Sequence, residues 1–197
     1  MDRNRTAYVI LGMLSIEPNK SGYDIRKAIE SSVGYFWGES YGQIYPTLKK
    51  LAEEGMIVSS SPVAGPRQRR QQYSLTDAGH TCLREWLALP FQNDPPRNEF
   101  LLKLFFGRDA PPSVSIGHIR ELQQRNRQIL ATMLELESFA NQQTPQNPHQ
   151  PYWMLTLSLG IALTRAALDW GESALATLSP SEAAANSGNP PTEKLEA

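Results

Sequence analysis

Tyr41, Gly42, Gln43, Tyr45, Lys49 and Lys50 fall within one ten-residue stretch. Read as a helix over residues 40–55, the stretch puts Ile44, Leu48 and Leu51 on one side, at spacings of four and three. That side is a core face. The other side holds Gly42, Tyr45, Pro46, Lys49 and Glu53. An aromatic, an amide, a bare backbone and then lysines are groups that hydrogen-bond base edges in a DNA major groove and neutralise phosphates. In this reading Tyr41, Gly42, Gln43, Tyr45 and Lys49 lie near bases or backbone, while Ser40 and Lys50 hold phosphates. A plain surface helix with an incidental tyrosine has the same periodicity, so the surroundings decide. The nearest further chemistry is Arg67, Arg69 and Arg70, in a turn-rich basic stretch over residues 61–70. Arginines on such a loop reach phosphates or a minor groove.

The elements that would position these groups read in chain order. Residues 4–15 carry Ala7, Ile10, Leu11 and Leu14 at helical spacing, and Pro18 with Asn19-Lys20 ends that helix. Ser21 and Asp24 form a capping-box pair that opens a second helix to about Ser32, burying Ile25, Ala28 and Ile29. A loop through Gly34 and Gly38 holds Tyr35, Phe36 and Trp37. Ser40 and Gln43 make a second capping box. Pro46 fits if the regular helix starts near Gln43, making it a first-turn residue, or if the helix bends there. Gly55 stops the helix. Residues 56–59 and 71–75 read as strands joined by the basic loop. Thr76-Asp77 opens a fourth helix to about Leu89, packing through Ala78, Leu83, Trp86 and Leu87. This order of helices, strands and basic loop makes a winged helix-turn-helix over residues 1–90.

Residues 91–178 read as a helical domain. Residues 97–106 form a short, very apolar helix expected in a core. A long helix over residues 113–142 repeats Ile119, Leu122, Asn126, Ile129, Met133, Leu136 and Ala140 at alternating steps of three and four, the seam of a coiled coil with a polar register residue at Asn126. Residues 142–151 are a loop, and residues 152–178 a second long helix that is apolar on most sides. One chain offers too little other surface to cover both helices. The expected cover is a second copy, with Ile119, Leu122, Asn126, Ile129, Met133, Leu136, Trp153 and Leu157 as dimer contacts. A larger intramolecular bundle is the alternative. Residues 179–197 are poor in apolar material and expected to be disordered.

Composition excludes several classes. The net charge is −1, with 11 basic against 9 acidic residues over 1–90 and 8 against 11 over 91–197, so any DNA contact is local. The single cysteine, Cys82, makes no internal disulfide, which fits a reducing cytoplasm. No signal peptide is apparent, and the longest apolar run, over residues 152–164, falls short of the ~20 residues needed to cross a bilayer. His80 and Cys82 lack further partners at metal-ligand spacing, with His118 and His149 far along the chain. No phosphate loop or nucleophile–base motif points to an enzyme. No metal or cofactor is expected. A winged helix that binds protein rather than DNA is the competing reading, and the basic loop and polar helix face argue against it.

Ala7-Tyr8-Val9-Ile10-Leu11-Gly12, Ser21-Gly22-Tyr23-Asp24-Ile25, Phe36-Trp37, Ser40-Tyr41-Gly42-Gln43-Ile44-Tyr45-Pro46-Thr47-Leu48-Lys49-Lys50-Leu51, Tyr73-Ser74-Leu75-Thr76 and Leu101-Leu102-Lys103-Leu104-Phe105-Phe106 resemble the PadR family of bacterial transcriptional regulators. The resemblance covers about residues 5–178. It implies a mainly α protein with a small β-hairpin wing, a helical C-terminal dimerisation domain, and repression relieved by a small phenolic or hydrophobic molecule. The operator expected for such a dimer, with its two 40–55 helices in successive major grooves, is a near-palindrome. Tyr23, Trp37, Arg97 and Trp153 are the candidate effector residues, an arginine among aromatics suiting an aromatic carboxylate. The family's wing often reads Gly-Arg-Pro. Here Gly65-Pro66-Arg67-Gln68-Arg69-Arg70 reverses proline and arginine, which leaves open the arginine that enters the minor groove.

Overall fold

A computed structural model of the chain describes residues 5–38, 41–60, 71–92, 97–142 and 147–187. It divides into two compact units, Met1–Asn93 and Asp94–Ala197. Arg67, Arg69, Arg70 and Ser40 lie outside the described residues.

The first unit begins with α1 (Arg5–Ile16), which turns Ala7, Ile10, Leu11 and Leu14 inward. The chain leaves α1 through Asn19, held at φ 62° in the left-handed region that asparagine tolerates better than most residues. The Asn19 amide donates to Ser74 Oγ at 3.1 Å, and the Ser74 hydroxyl donates back to Asn19 Oδ1 at 2.9 Å. This turn feeds a two-residue strand, β1 (Lys20–Ser21), and then α2 (Gly22–Ser31). The Ser21–Asp24 capping box is formed in both directions. α2 buries Ile25 and Ile29 against α1, and a 3-10 turn over Val33–Tyr35 follows.

A second 3-10 turn over Tyr41–Gln43 leads into α3 (Ile44–Glu53). The regular helix thus starts at Ile44, and Pro46 sits in its first turn, where its missing N–H costs nothing. Gln43 is the N-cap of α3 and makes no side-chain capping bond; the Ser40 half of the expected Ser40–Gln43 box lies outside the described residues. α3 ends in a Schellman motif. Gly55 takes φ +69°, its N–H bonds Ala52 O at 3.1 Å, and Met56 N–H reaches Leu51 O at 2.9 Å.

Two more strands follow, β2 (Ile57–Ser60) and β3 (Gln72–Leu75), paired antiparallel with Ile57 opposite Leu75 and Ser60 opposite Gln72. The sheet has three strands, ordered β1-β3-β2. The two-strand hairpin read from sequence gains β1 on its outer edge, where Lys20 faces Tyr73 and Ser21 faces Gln72. The strand is too short to show an alternating pattern. α4 (Asp77–Leu87) is capped by Thr76, whose side chain accepts the Gly79 N–H at 3.1 Å. Its packing face is shifted from expectation. Ala78 and Leu87 are exposed, and the inner side is Gly79 and Leu83, with Cys82 half-buried. Gly79 is required by close approach: a Cβ there would stand 2.1 Å from Met56 O. Trp86 stacks on Tyr8, ring centres 4.5 Å apart.

The second unit holds α5 (Glu99–Phe105), α6 (Pro112–Gln142) and α7 (Gln150–Ser187). α6 and α7 pack along one another over most of their length. Two glycines stand at close approaches. A Cβ on Gly160 would meet Met133, and one on Gly171 would meet Gln123. Gln123 is buried and donates to Leu168 O at 3.4 Å.

Three expectations are corrected here. α5, read as core, has no buried residue in this unit, and Phe105 is 82% exposed. Its apolar residues run round all sides of a seven-residue helix, and its neighbours, α6 and, through Phe100 against Trp170, α7, cover only part of it. The seven-residue seam of α6 divides: Ile119 and Met133 are buried within the unit, so their cover is intramolecular, while Leu122 is half-buried and Ile129 and Leu136 face outward. Finally, α7 continues to Ser187 rather than ending near Leu178, carried through an alanine run with strong helix propensity. The rest of the expected tail lies outside the described residues.

Candidate nucleic-acid interface

α3 is two-sided in the way its spacing implies. Ile44, Thr47, Leu48 and Leu51 are buried, and they set the helix on α1, α2 and β2. Gly42, Gln43, Tyr45, Pro46, Lys49 and Lys50 are exposed. Lys49 and Lys50 each face a glutamate one turn on, Glu53 and Glu54, at 3.9 Å. Pairs this long and this exposed hold their lysines weakly, so both ammonium groups remain able to meet an anion. Tyr41 lies in the 3-10 turn just before the helix.

Tyr45 is 59% exposed, yet its ring rests on Gly22 at the start of α2. Tyr73, on β3, is half-buried; burial pushes its phenol above the ordinary tyrosine range, and the nearby Tyr45 phenol adds to this. Lys20, on β1, is bound to Glu17 at 2.6 Å, and this bond holds its ammonium above the usual lysine value. The sequence pointed neither to the contact of Tyr45 with Gly22 nor to the pairing of Lys20 with Tyr73 beside it. The signal it lacked was β1, which brings the turn after α1 alongside β3.

Three of the four candidate effector residues have ordinary local partners. In the first unit, the Lys27 ammonium lies 5.2 Å from the Tyr23 ring centre, and the Arg5 guanidinium lies 5.9 Å from that of Trp37. In the second unit, Arg97 is exposed and Trp153 stacks with His149 at 6.0 Å. Cys82 lines a shallow groove beside Tyr8, Trp86 and Glu85 on the α4 side of the first unit. Among the described residues no cluster of His, Cys, Asp and Glu could hold a metal ion, and no helix is long and apolar enough to cross a membrane.

A helix with a buried inner face and a polar, lysine-bearing outer face, set before a strand pair and backed by α2, is the recognition unit of a winged helix-turn-helix protein that binds DNA. The family profile of PadR-like transcriptional regulators matches residues 10–85, and that of the virulence activator alpha C-terminal domain matches residues 96–179. The chain is 29% identical over 177 residues to the negative transcriptional regulator PadR of Bacillus subtilis, covering 87% of this chain and 96% of that protein. The crystal structure of Bacillus subtilis PadR in complex with operator DNA superposes with a TM-score of 0.77, at 27% identity over 89% of this chain and 99% of that one. Its complex with p-coumaric acid gives 0.70, at 28% identity over 89% and 99%. The Vibrio cholerae virulence activator AphA gives 0.71, at 30% identity over 89% of this chain and 98% of that one. The chain belongs to the PadR-like family of DNA-binding transcriptional regulators, whose members are not enzymes.

Proposed function

We propose that the chain is a homodimeric repressor acting in the bacterial cytoplasm, which sets two copies of α3 in successive major grooves of a near-palindromic operator, ~34–36 Å apart. The observation that carries this reading is the division of α3: its apolar residues are spent on the core, and Tyr45, Lys49 and Lys50 are left outward. Tyr41, Gly42, Gln43, Tyr45 and Lys49 are assigned to base edges and nearby backbone, Ser40 and Lys50 to phosphates, and Arg67, Arg69 and Arg70 to the flanking DNA. The solved complex of the Bacillus relative with operator DNA supports the mode of binding.

The second copy is called for by the apolar surface of the second unit. Leu122, Asn126, Ile129 and Leu136 on α6 and Trp153 and Leu157 on α7 remain the proposed dimer contacts, joined by the outward Leu155, Leu159 and Leu163. Release by a small aromatic acid is the proposed regulation, supported by the p-coumaric acid complex of the same relative. Tyr23, Trp37, Arg97 and Trp153 are the residues whose substitution tests it.

Selection of duplexes from a randomised pool, followed by mobility shift at several salt concentrations, tests the reading. The expected result is a specific, salt-sensitive complex holding two chains. Arg69→Ala and Arg70→Ala should weaken binding to all sequences and flatten the salt slope. Gln43→Ala should relax preference at one or two base pairs, each worth ~1–3 kcal/mol. Binding no tighter to any selected duplex than to random DNA would overturn it in favour of a winged helix that docks on protein. Quenching of tryptophan fluorescence by p-coumaric acid, with loss of the DNA complex, tests the effector; unchanged fluorescence and an intact complex would remove it.

A further inference from the structure

Gly22 is the first residue of α2 and is buried. Its backbone does not require glycine, because Gly55 has the only positive φ among the described glycines. Alanine would be the better helix former at this position, by ~1 kcal/mol in a helix interior and less at an end. What excludes alanine is the neighbour. A Cβ at Gly22 would stand 2.7 Å from Tyr45 Cε1, 3.3 Å from Tyr45 Cδ1 and 3.1 Å from Leu48 Cδ1. Carbon atoms do not approach to 2.7 Å, so the ring would have to swing away.

For stability alone this arrangement gains little. Tyr45 stands on the outer side of α3 and is 59% exposed, so a displaced ring would still be solvated. Leu48 would have to yield only a few tenths of an ångström. The glycine therefore makes most difference to where the ring lies. Seated on Gly22, Tyr45 touches the first turn of α2 from the second residue of α3, and its phenol comes within electrostatic range of Tyr73 on β3. One aromatic ring on α3 thus lies beside both α2 and β3.

We propose that Gly22 is a positioning residue for DNA recognition: by lacking a side chain it seats the Tyr45 ring across the start of α2 and fixes it at the contact surface. This rests on the reading of α3 as the DNA-contacting helix. A double-mutant cycle tests it, with wild type, Gly22→Ala, Tyr45→Ala and the double variant measured on a duplex selected by the wild-type protein, alongside thermal melting. Gly22→Ala should bind about tenfold more weakly with cooperative melting kept, and in the Tyr45→Ala background the same change should alter affinity by less than about twofold. Equal loss in both backgrounds, or no loss in either, would overturn the proposal. Should Gly22→Ala not fold, Tyr45→Ala must restore folding, since the ring is what the added carbon meets; failure to do so would also overturn it. Lys49→Ala separates the two levels. If it binds the selected duplex undiminished, the reading of α3 itself fails. If it weakens binding while Gly22 and Tyr45 show no coupling, only this inference fails.

Discussion

In the first unit the inward apolar residues of α1, α2 and α3 are enclosed: Ile10, Leu11, Ile25, Ile29, Ile44 and Leu48 have no exposed surface. In the second unit α5, α6 and α7 carry apolar residues of the same kinds, and many of them face outward, Leu101, Leu102, Phe105, Leu155, Leu159 and Leu163 among them. The chemistry of the residues is alike; the geometry differs. Three helices crossing over a small sheet enclose a core from several directions. Two long helices side by side cover one strip of each other and leave the opposite strips bare. A contiguous apolar surface of that kind marks an interaction site. The contrast teaches that crossing helices enclose the core of the first unit within one chain, while the second unit keeps an apolar surface that the proposed second copy would cover.

The largest effect should come from breaking that completion. Leu159→Glu with Leu163→Glu puts two carboxylates on the outward strip of α7, and burying each costs several kcal/mol. The expected result is a monomer by analytical ultracentrifugation, with operator affinity lowered about a hundredfold or more because two half-sites are no longer bound together. The first unit should keep its melting transition. A dimer that survives both substitutions would place the contact elsewhere.

Next in size is Leu48→Ala. Leu48 is fully buried in the first unit. The change should cost ~2–5 kcal/mol through lost burial and the cavity left behind, lowering the melting temperature of that unit by ~10 °C or more. Self-association should be untouched. A loss of dimer together with the melting shift would show that the units are not independent in the sense argued above.

Smaller again is the capping box. Ser21 accepts the Asp24 N–H at 3.3 Å, and Asp24 accepts the Ser21 N–H at 3.1 Å. Ser21→Ala should cost ~0.5–2 kcal/mol. Because Gly22 and its seat for Tyr45 follow directly, operator affinity should fall with it. A melting shift without any affinity change would detach the start of α2 from the DNA surface.

The two units were not equally legible in the sequence. In the first, helical spacing picked out Ala7, Ile10, Leu11 and Leu14, and all four are buried. Ser21–Asp24 and Gly55 marked ends that the structure keeps, because capping is local chemistry. β1 was missed because two residues make no pattern, and its existence depends on β3 more than fifty residues away. The Gly22–Tyr45 contact was missed for the same reason: it joins two helices, and neither helix shows it alone. In the second unit the spacing of α6 named apolar positions without saying which side meets α7. Gly160 and Gly171 decide that, by letting Met133 and Gln123 come close, and a seam drawn on one helix cannot see the glycines of the other.

The smallest effect sharpens the comparison at the edge of the second unit. Glu99 and Lys103 stand one turn apart on α5, 2.8 Å from each other. The bond from Lys103, and then its charge, hold the Glu99 carboxyl below its ordinary value of 4.5, and the bond to Glu99, with its charge, raises the Lys103 ammonium above 10.5. A lowered carboxylate stabilises the fold above its ordinary value and loses that contribution as pH falls through the lowered one. A raised ammonium contributes below its ordinary value and loses it as pH climbs through the raised one. The pair therefore supports α5 across the neutral range and weakens at both ends. Its exposure to solvent makes the contribution slight and salt-sensitive. Carbon-detected NMR titration should place the Glu99 midpoint below that of an ordinary glutamate, and Lys103→Gln should return it there. If a second copy covers α5, the shift in the dimer should resist added salt; in the Leu159→Glu, Leu163→Glu monomer salt should abolish it. Equal salt sensitivity in both would show that α5 stays in water and that the cover of the second unit lies along α6 and α7 alone.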